Sequence, residues 1–106
     1  MLFVCGRNRL RSPTAEQVFS SWPGIAVESA GLNRDASQPV TPELLEWADL
    51  VFVMEETHRR KLSLQFGAHL KAKRIVCLDI RDEFRYMDPA LVEMLKQKVS
   101  PFLKQR

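Results

Sequence analysis

Cysteine and histidine are scarce in this chain, with two of each among 106 residues. Cys5 and Cys77 stand far apart in sequence and form no disulfide framework; they suit a reducing compartment, so a cytoplasmic location is expected. His58 and His69 share one helical region without further ligand-type neighbours, so no metal site is expected. No apolar run approaches the ~20 residues needed to span a bilayer, so no membrane partner is expected. A basic-then-apolar leader is not expected either, because the first strand starts at Leu2. Repeats, low-complexity tracts and linkers are also missing. The net charge of +3 favours anionic substrates but is too small to argue for nucleic acid by itself. The length reads as one domain, residues 1–106, burying roughly 60–70% of its unfolded surface.

What the chain does have is a regular alternation of strand and helix. Leu2-Phe3-Val4 forms a first strand, and Ala15, Val18, Phe19 and Trp22 then recur on one helical face. Pro23-Gly24 stops that helix, and Ile25-Ala26-Val27 reads as a short second strand. Thr41-Pro42 opens the next helix, with threonine at the N-cap and proline in the first turn. Leu50 to Met54 is a continuous apolar run, as expected of a strand covered on both faces. Leu62, Phe66 and Leu70 mark a third helix, and Ile75 to Leu78 a fourth strand that buries Cys77. Asp88-Pro89 starts a last helix facing inward through Val92, Leu95, Val99 and Phe102, and Pro101 ends or kinks it. The pattern predicts an α/β fold: a four-stranded parallel, doubly wound sheet with helices on both faces. Ligands in such sheets sit beyond the carboxyl ends of the strands.

At one such end lies the stretch that carries chemistry, Cys5-Gly-Arg-Asn-Arg-Leu-Arg11-Ser12. A thiol ends a strand, five residues curl back, and an arginine and a hydroxyl open a helix. That arrangement aims backbone N–H groups and a helix N-terminus at one point, an anion site. Arg11 adds a guanidinium that can grip the anion with two donors. Cys5 placed there is expected to be largely thiolate at neutral pH and hence a nucleophile. A cysteine ending a buried strand is ordinarily a small apolar side chain. The preceding strand, the following Ser-Pro helix start and the arginines within the loop argue for the nucleophile instead.

These residues resemble the low-molecular-weight protein tyrosine phosphatases, whose signature is a strand, Cys-x5-Arg-Ser-Pro and a helix. Asn8 is similar to the family's loop asparagine, Ser29-Ala30-Gly31 to its Ser-Ala-Gly segment, and Leu50 to Glu55 to its third strand with the acidic residue after it. The resemblance implies a cysteine-dependent phosphomonoester hydrolase, with a phosphotyrosine protein as the substrate and no metal or organic cofactor. It implies that Cys5 is the nucleophile and Arg11 the phosphate clamp, and that Ser12 favours the thiolate. Gly6, Arg7, Asn8, Arg9, Leu10 and Ser12 would bind substrate, and Asn8 and Ser29 would form a hydrogen-bonded pair bracing the loop.

Departures from the family pattern are equally specific. The chain is shorter than the family's members, and most of the deficit falls between Gly31 and Leu50. Glycine stands one residue after the cysteine rather than two, so either Arg7 suits the backbone there or Gly6 takes the unusual dihedral. Arg9 and Leu10 replace an Ile or Thr and a second cysteine, which removes a local redox disulfide. Arg7 and Arg9 are expected at the mouth of the site, and Trp47 and Tyr86 could border it. The family's general acid sits in an Asp-Pro-aromatic triplet that this chain lacks. Asp82, followed by Glu83 and Phe84, is the first candidate; Asp88, whose Pro89 also fits a plain N-cap, is the alternative. An arsenate reductase, for which Cys77 is a weak relay candidate, and a non-catalytic phosphate-binding module or an enzyme of another phosphoester stay open. Phosphoarginine is disfavoured because Arg9 would repel a guanidinium.

Overall fold

The computed structural model describes residues 1–103. Four parallel strands, β1 (Leu2–Cys5), β2 (Glu28–Gly31), β3 (Leu50–Val53) and β4 (Arg74–Cys77), lie in the order β2-β1-β3-β4. Helices α1 (Arg11–Phe19), α2 (Pro42–Trp47), α3 (Glu56–Phe66) and α4 (Pro89–Val99) connect and follow them. This is the doubly wound α/β sheet that the alternation predicts. The strand order reverses between β1 and β3, which places the switch point directly beyond Cys5.

Side-chain alternation along the two central strands divides the interior. Leu2 and Val4 of β1 and Val51 and Val53 of β3 face one core, shared with Leu45 and Leu62 from α2 and α3. Phe3, Cys5 and Phe52 face the other, shared with Ala15 and Phe19 of α1 and Leu91, Leu95 and Val99 of α4. Phe3 stacks on Phe19 with ring centroids 5.7 Å apart and on Phe52 at 5.0 Å, so the residue two before Cys5 is fixed by two rings. Burying each such ring stabilises the fold by about 2–3 kcal/mol.

Several elements differ from the sequence reading. Ile25-Ala26-Val27 precedes the second strand rather than forming it, and Ala26 is exposed. The ladder instead runs from Leu2↔Glu28 to Cys5↔Gly31. Pairing with β1, rather than β-propensity, sets this edge strand. The first helix ends at Phe19, so Trp22 lies beyond it. Along α4 the buried row is Leu91, Leu95 and Val99, with Val92 turned aside. The third helix stops at Phe66, and Leu70 is buried after a further 3-10 turn at Gly67–His69. Thr41 and Asp88 do cap their helices, accepting the N–H groups of Leu44 at 3.2 Å and Ala90 at 3.0 Å. Among the described residues no helix is long and apolar enough to cross a membrane.

Candidate active site

The loop after β1 is braced from outside by the short connection after β2. The carbonyls of Cys5, Gly6 and Arg7 accept N–H groups of Leu32 (3.0 Å), Asn33 (2.8 Å) and Ser37 (3.0 Å). Among the described residues the N–H groups of Arg7, Arg9 and Leu10 meet no protein acceptor. Three successive carbonyls are therefore engaged outside the loop while several donors are left over, as an anion cradle requires. The connection approaches so closely that Gly31 has no room for a side chain: a Cβ there would lie 2.6 Å from the Gly6 carbonyl oxygen. Neither Gly6 nor Arg7 takes the left-handed dihedral. Asn8 does, with φ 57°, a conformation asparagine tolerates better than most residues.

That turn directs Asn8 inward. Its N–H donates to Cys5 Sγ at 3.2 Å, while its Nδ2 donates to Ser12 Oγ at 3.0 Å and to Ser29 Oγ at 2.9 Å. The Ser29 hydroxyl in turn donates to Glu16. Ser12 Oγ lies 3.0 Å from Cys5 Sγ. Because that oxygen already accepts from Asn8, its own proton is free to point at sulfur. Two donors thus converge on Sγ, an arrangement that stabilises negative charge there. Ser12 stands inside α1 and is not its N-cap; Leu10 holds that position without a side-chain cap.

Arg11 is 6% exposed. Its Nη1 donates to the Glu55 carboxylate and to the Ile80 carbonyl at 2.8 Å. Nε and Nη2 make no hydrogen bond among the described residues, which leaves one edge of the fork for a ligand. Glu55 N–H donates to His58 Nδ1 at 3.1 Å. Burial, and then the Arg11 guanidinium, push the His58 imidazole below its ordinary range, while Glu55 opposes them. A neutral ring with Nδ1 accepting carries its proton on Nε2.

All these elements open onto one cavity of about 550 Å³, lined by Cys5, Gly6, Arg7, Arg9, Leu10, Arg11, Asn33, His58, Lys61 and Asp82. Asp82, with 64% of its side chain exposed, places Oδ1 3.7 Å from Arg11 Nε. Asp88 is occupied in capping α4 and does not line this cavity. Arg9 donates to the Asp35 carbonyl at 3.1 Å, and Arg7 lies 3.7 Å from the Asp35 carboxylate. Asn8, Ser12 and Ser29 sit behind the lining. Trp47 and Tyr86 are exposed and outside it, so the expectation that they border the site does not hold. Cys77 lies in β4 but is only partly buried, and burial pushes its thiol up.

The sequence names Glu55 and His58 without giving either a role at this site, and it does not single out Asn33 or Lys61. Glu55 stood next to a recognised strand, but its bond to Arg11 spans 44 positions and leaves no local trace. His58 was set aside for lack of neighbouring ligands. Its signal was the spacing from Glu55, three residues on within one helical turn.

The protein-arginine-phosphatase of Bacillus subtilis (strain 168) is 33% identical to this chain over 96 residues. That match takes in 65% of this chain and 64% of the relative, so the chain spans a little under two thirds of its length. A solved structure of a YwlE arginine phosphatase mutant with a phosphorylated active-site serine gives a TM-score of 0.79 at 27% identity, covering 99% of this chain and 96% of the other. The tyrosine phosphatase Wzb from Escherichia coli K30, in complex with phosphate, gives 0.76 at 20% identity, covering 95% and 87%, a likeness of fold. No family model matches the chain. In sequence the chain is similar to this arginine phosphatase, and its fold is that of the low-molecular-weight phosphatases.

Proposed function

We propose that this chain, with the fold of the low-molecular-weight phosphatases, is a cysteine-dependent phosphomonoester hydrolase acting on a phosphorylated protein through a phosphocysteine intermediate. The observation that carries the reading is the convergence of Asn8 N–H and Ser12 Oγ on Cys5 Sγ, in a cavity that Arg11 also lines. Sγ attacks phosphorus in line, and the bond from phosphorus to the leaving oxygen breaks. Arg11 and the free loop N–H groups, including those of Arg7, Arg9 and Leu10, hold the equatorial oxygens. Asp82 gives its proton to the leaving oxygen, then accepts one from the water that cleaves the S–P bond and releases phosphate. The phosphorylated serine in the YwlE mutant supports covalent transfer to an active-site side chain in this fold.

Two readings of the phosphorylated side chain divide on the mouth. Phosphotyrosine is favoured by Arg7, Arg9 and Lys61, which surround the cavity with positive charge and disfavour a guanidinium. Leu10, 38% exposed, offers apolar surface for a ring. Phosphoarginine is favoured by the 33% identical relative, a protein-arginine-phosphatase, and the Asp35 contacts of Arg7 and Arg9 soften the repulsion. An arsenate reductase relay fits poorly. Cys77 pairs with Val53, one strand beyond β1, so its Cα stands roughly 9–10 Å from that strand, too far for a disulfide without movement.

The test assays phosphotyrosine and phosphoarginine versions of one peptide, p-nitrophenyl phosphate and arsenate side by side. A higher kcat/KM on the phosphotyrosine peptide supports the first reading and the reverse order the second. Turnover of none of the phosphate substrates removes the hydrolase, and wild-type-like turnover by Cys5→Ser removes the phosphocysteine intermediate.

A further inference from the structure

The loop after β4 is bracketed by two non-glycine residues with left-handed backbone, Asp79 (φ 56°) and Met87 (φ 58°). Such backbone persists only where neighbours hold it. Near the first bracket, Ile80 is pinned twice: its N–H donates to the Met54 carbonyl at 2.8 Å, and its carbonyl accepts from Arg11 at 2.8 Å. Met87 has a different anchor. Its N–H donates to Thr14 Oγ1 at 2.9 Å, across 73 positions of sequence.

Thr14 is fully buried in α1, and its hydroxyl donates to the carbonyl of Leu10 at 2.6 Å. A helical threonine commonly satisfies itself on the carbonyl four residues back, and that accounts for the Leu10 bond. It does not account for the second. One proton goes to the last residue of the phosphate loop while a lone pair takes the N–H that ends the other loop, so a single hydroxyl joins both walls of the cavity. Asp82 sits on the arc between the Ile80 pin and the Met87 pin, with no hydrogen bond of its own among the described residues.

We propose that Thr14 is a positioning residue, setting where Asp82 stands relative to Cys5 by tying Met87 to the phosphate loop. The inference rests on the reading of Asp82 as general acid. An alkyl phosphate needs its leaving oxygen protonated, whereas p-nitrophenolate departs almost unaided. Thr14→Val keeps shape and removes both bonds. It should lower the ratio of alkyl to nitrophenyl turnover about ten-fold and change the acid-side pH dependence, while iodoacetamide labels Cys5 at the wild-type rate. Thr14→Ser, which keeps the hydroxyl, should restore the ratio to within about two-fold. If valine is not accommodated, Thr14→Ala carries the same test. An unchanged ratio, or equal loss on both esters with slowed Cys5 labelling, overturns the proposal. Asp82→Asn run alongside separates the failures. If Asp82→Asn is silent, the acid assignment falls and the brace with it; a selective loss there without one in Thr14→Val removes the brace alone.

Discussion

The loop from Cys5 to Ser12 is held along its length, whereas the loop from Asp79 to Asp88 is held at a few points. In the first, three successive carbonyls bind the β2 connection, Asn8 makes three inward bonds, and Cys5, Asn8, Arg11 and Ser12 are all buried. In the second, Ile80 and Met87 are pinned across the cavity, Asp88 caps α4, and Asp82 is left with 64% of its side chain exposed. The difference follows the chemistry assigned to each wall. A cradle for developing charge must be rigid before the substrate arrives, because its donors act only if they need no reorganisation. A group that first gives and then takes a proton must reach both a leaving oxygen and a water.

The comparison can be broken most severely at the rigid wall. Cys5→Ser should keep the fold and lose turnover by at least about 10³-fold, because a serine hydroxyl there stays protonated; a phosphatase assay beside a thermal melt checks both. Gly31→Ala should follow closely. The added Cβ meets the Gly6 carbonyl and cannot be relieved by a flexible side chain, so phosphate should no longer protect Cys5 from alkylation. Arg11→Lys keeps the charge but loses the planar fork, and should cost ten-fold or more in kcat, about 1.4 kcal/mol or more.

At the looser wall, substitutions should discriminate rather than abolish. Asp82→Asn should slow alkyl phosphates far more than p-nitrophenyl phosphate. Asp88→Asn should do neither, since asparagine remains a competent N-cap; a reversed pattern would exchange the two aspartates. The smallest effect concerns His58. Its folded pKa is lowered by burial first and Arg11 second, so the unfolded chain takes up a proton that the folded one refuses as pH falls below about 6.5. Stability tied to this ring is therefore complete above that pH and declines below it. His58→Asn should flatten part of that decline in melts between pH 7 and 5.

Legibility in the sequence divides along the same line. The Cys5 loop, the two central strands and the caps at Thr41 and Asp88 are written locally, in residues a few positions apart. The edge strand is not: Glu28–Gly31 contains no β-branched residue and is placed by its ladder to β1. The partners of Glu55 and Thr14 are not legible either, because each acts across tens of positions. The shifted glycine, set against the family pattern, points to Gly6 or Arg7 for the strained backbone of the loop, yet Asn8 takes the left-handed dihedral. Inward bonds to Cys5, Ser12 and Ser29 require the turn at Asn8, and those contacts appear only once the chain is folded.

The central claim is that phosphate passes through sulfur, and rapid quenching followed by mass analysis tests it most directly. Asp82→Asn mixed with p-nitrophenyl phosphate should release nitrophenolate in a burst and hold one phosphoryl group on Cys5, because the leaving group needs no proton while the hydrolytic water needs a base. Released phosphate matching nitrophenolate from the first turnover, with Cys5 unmodified, would contradict the account.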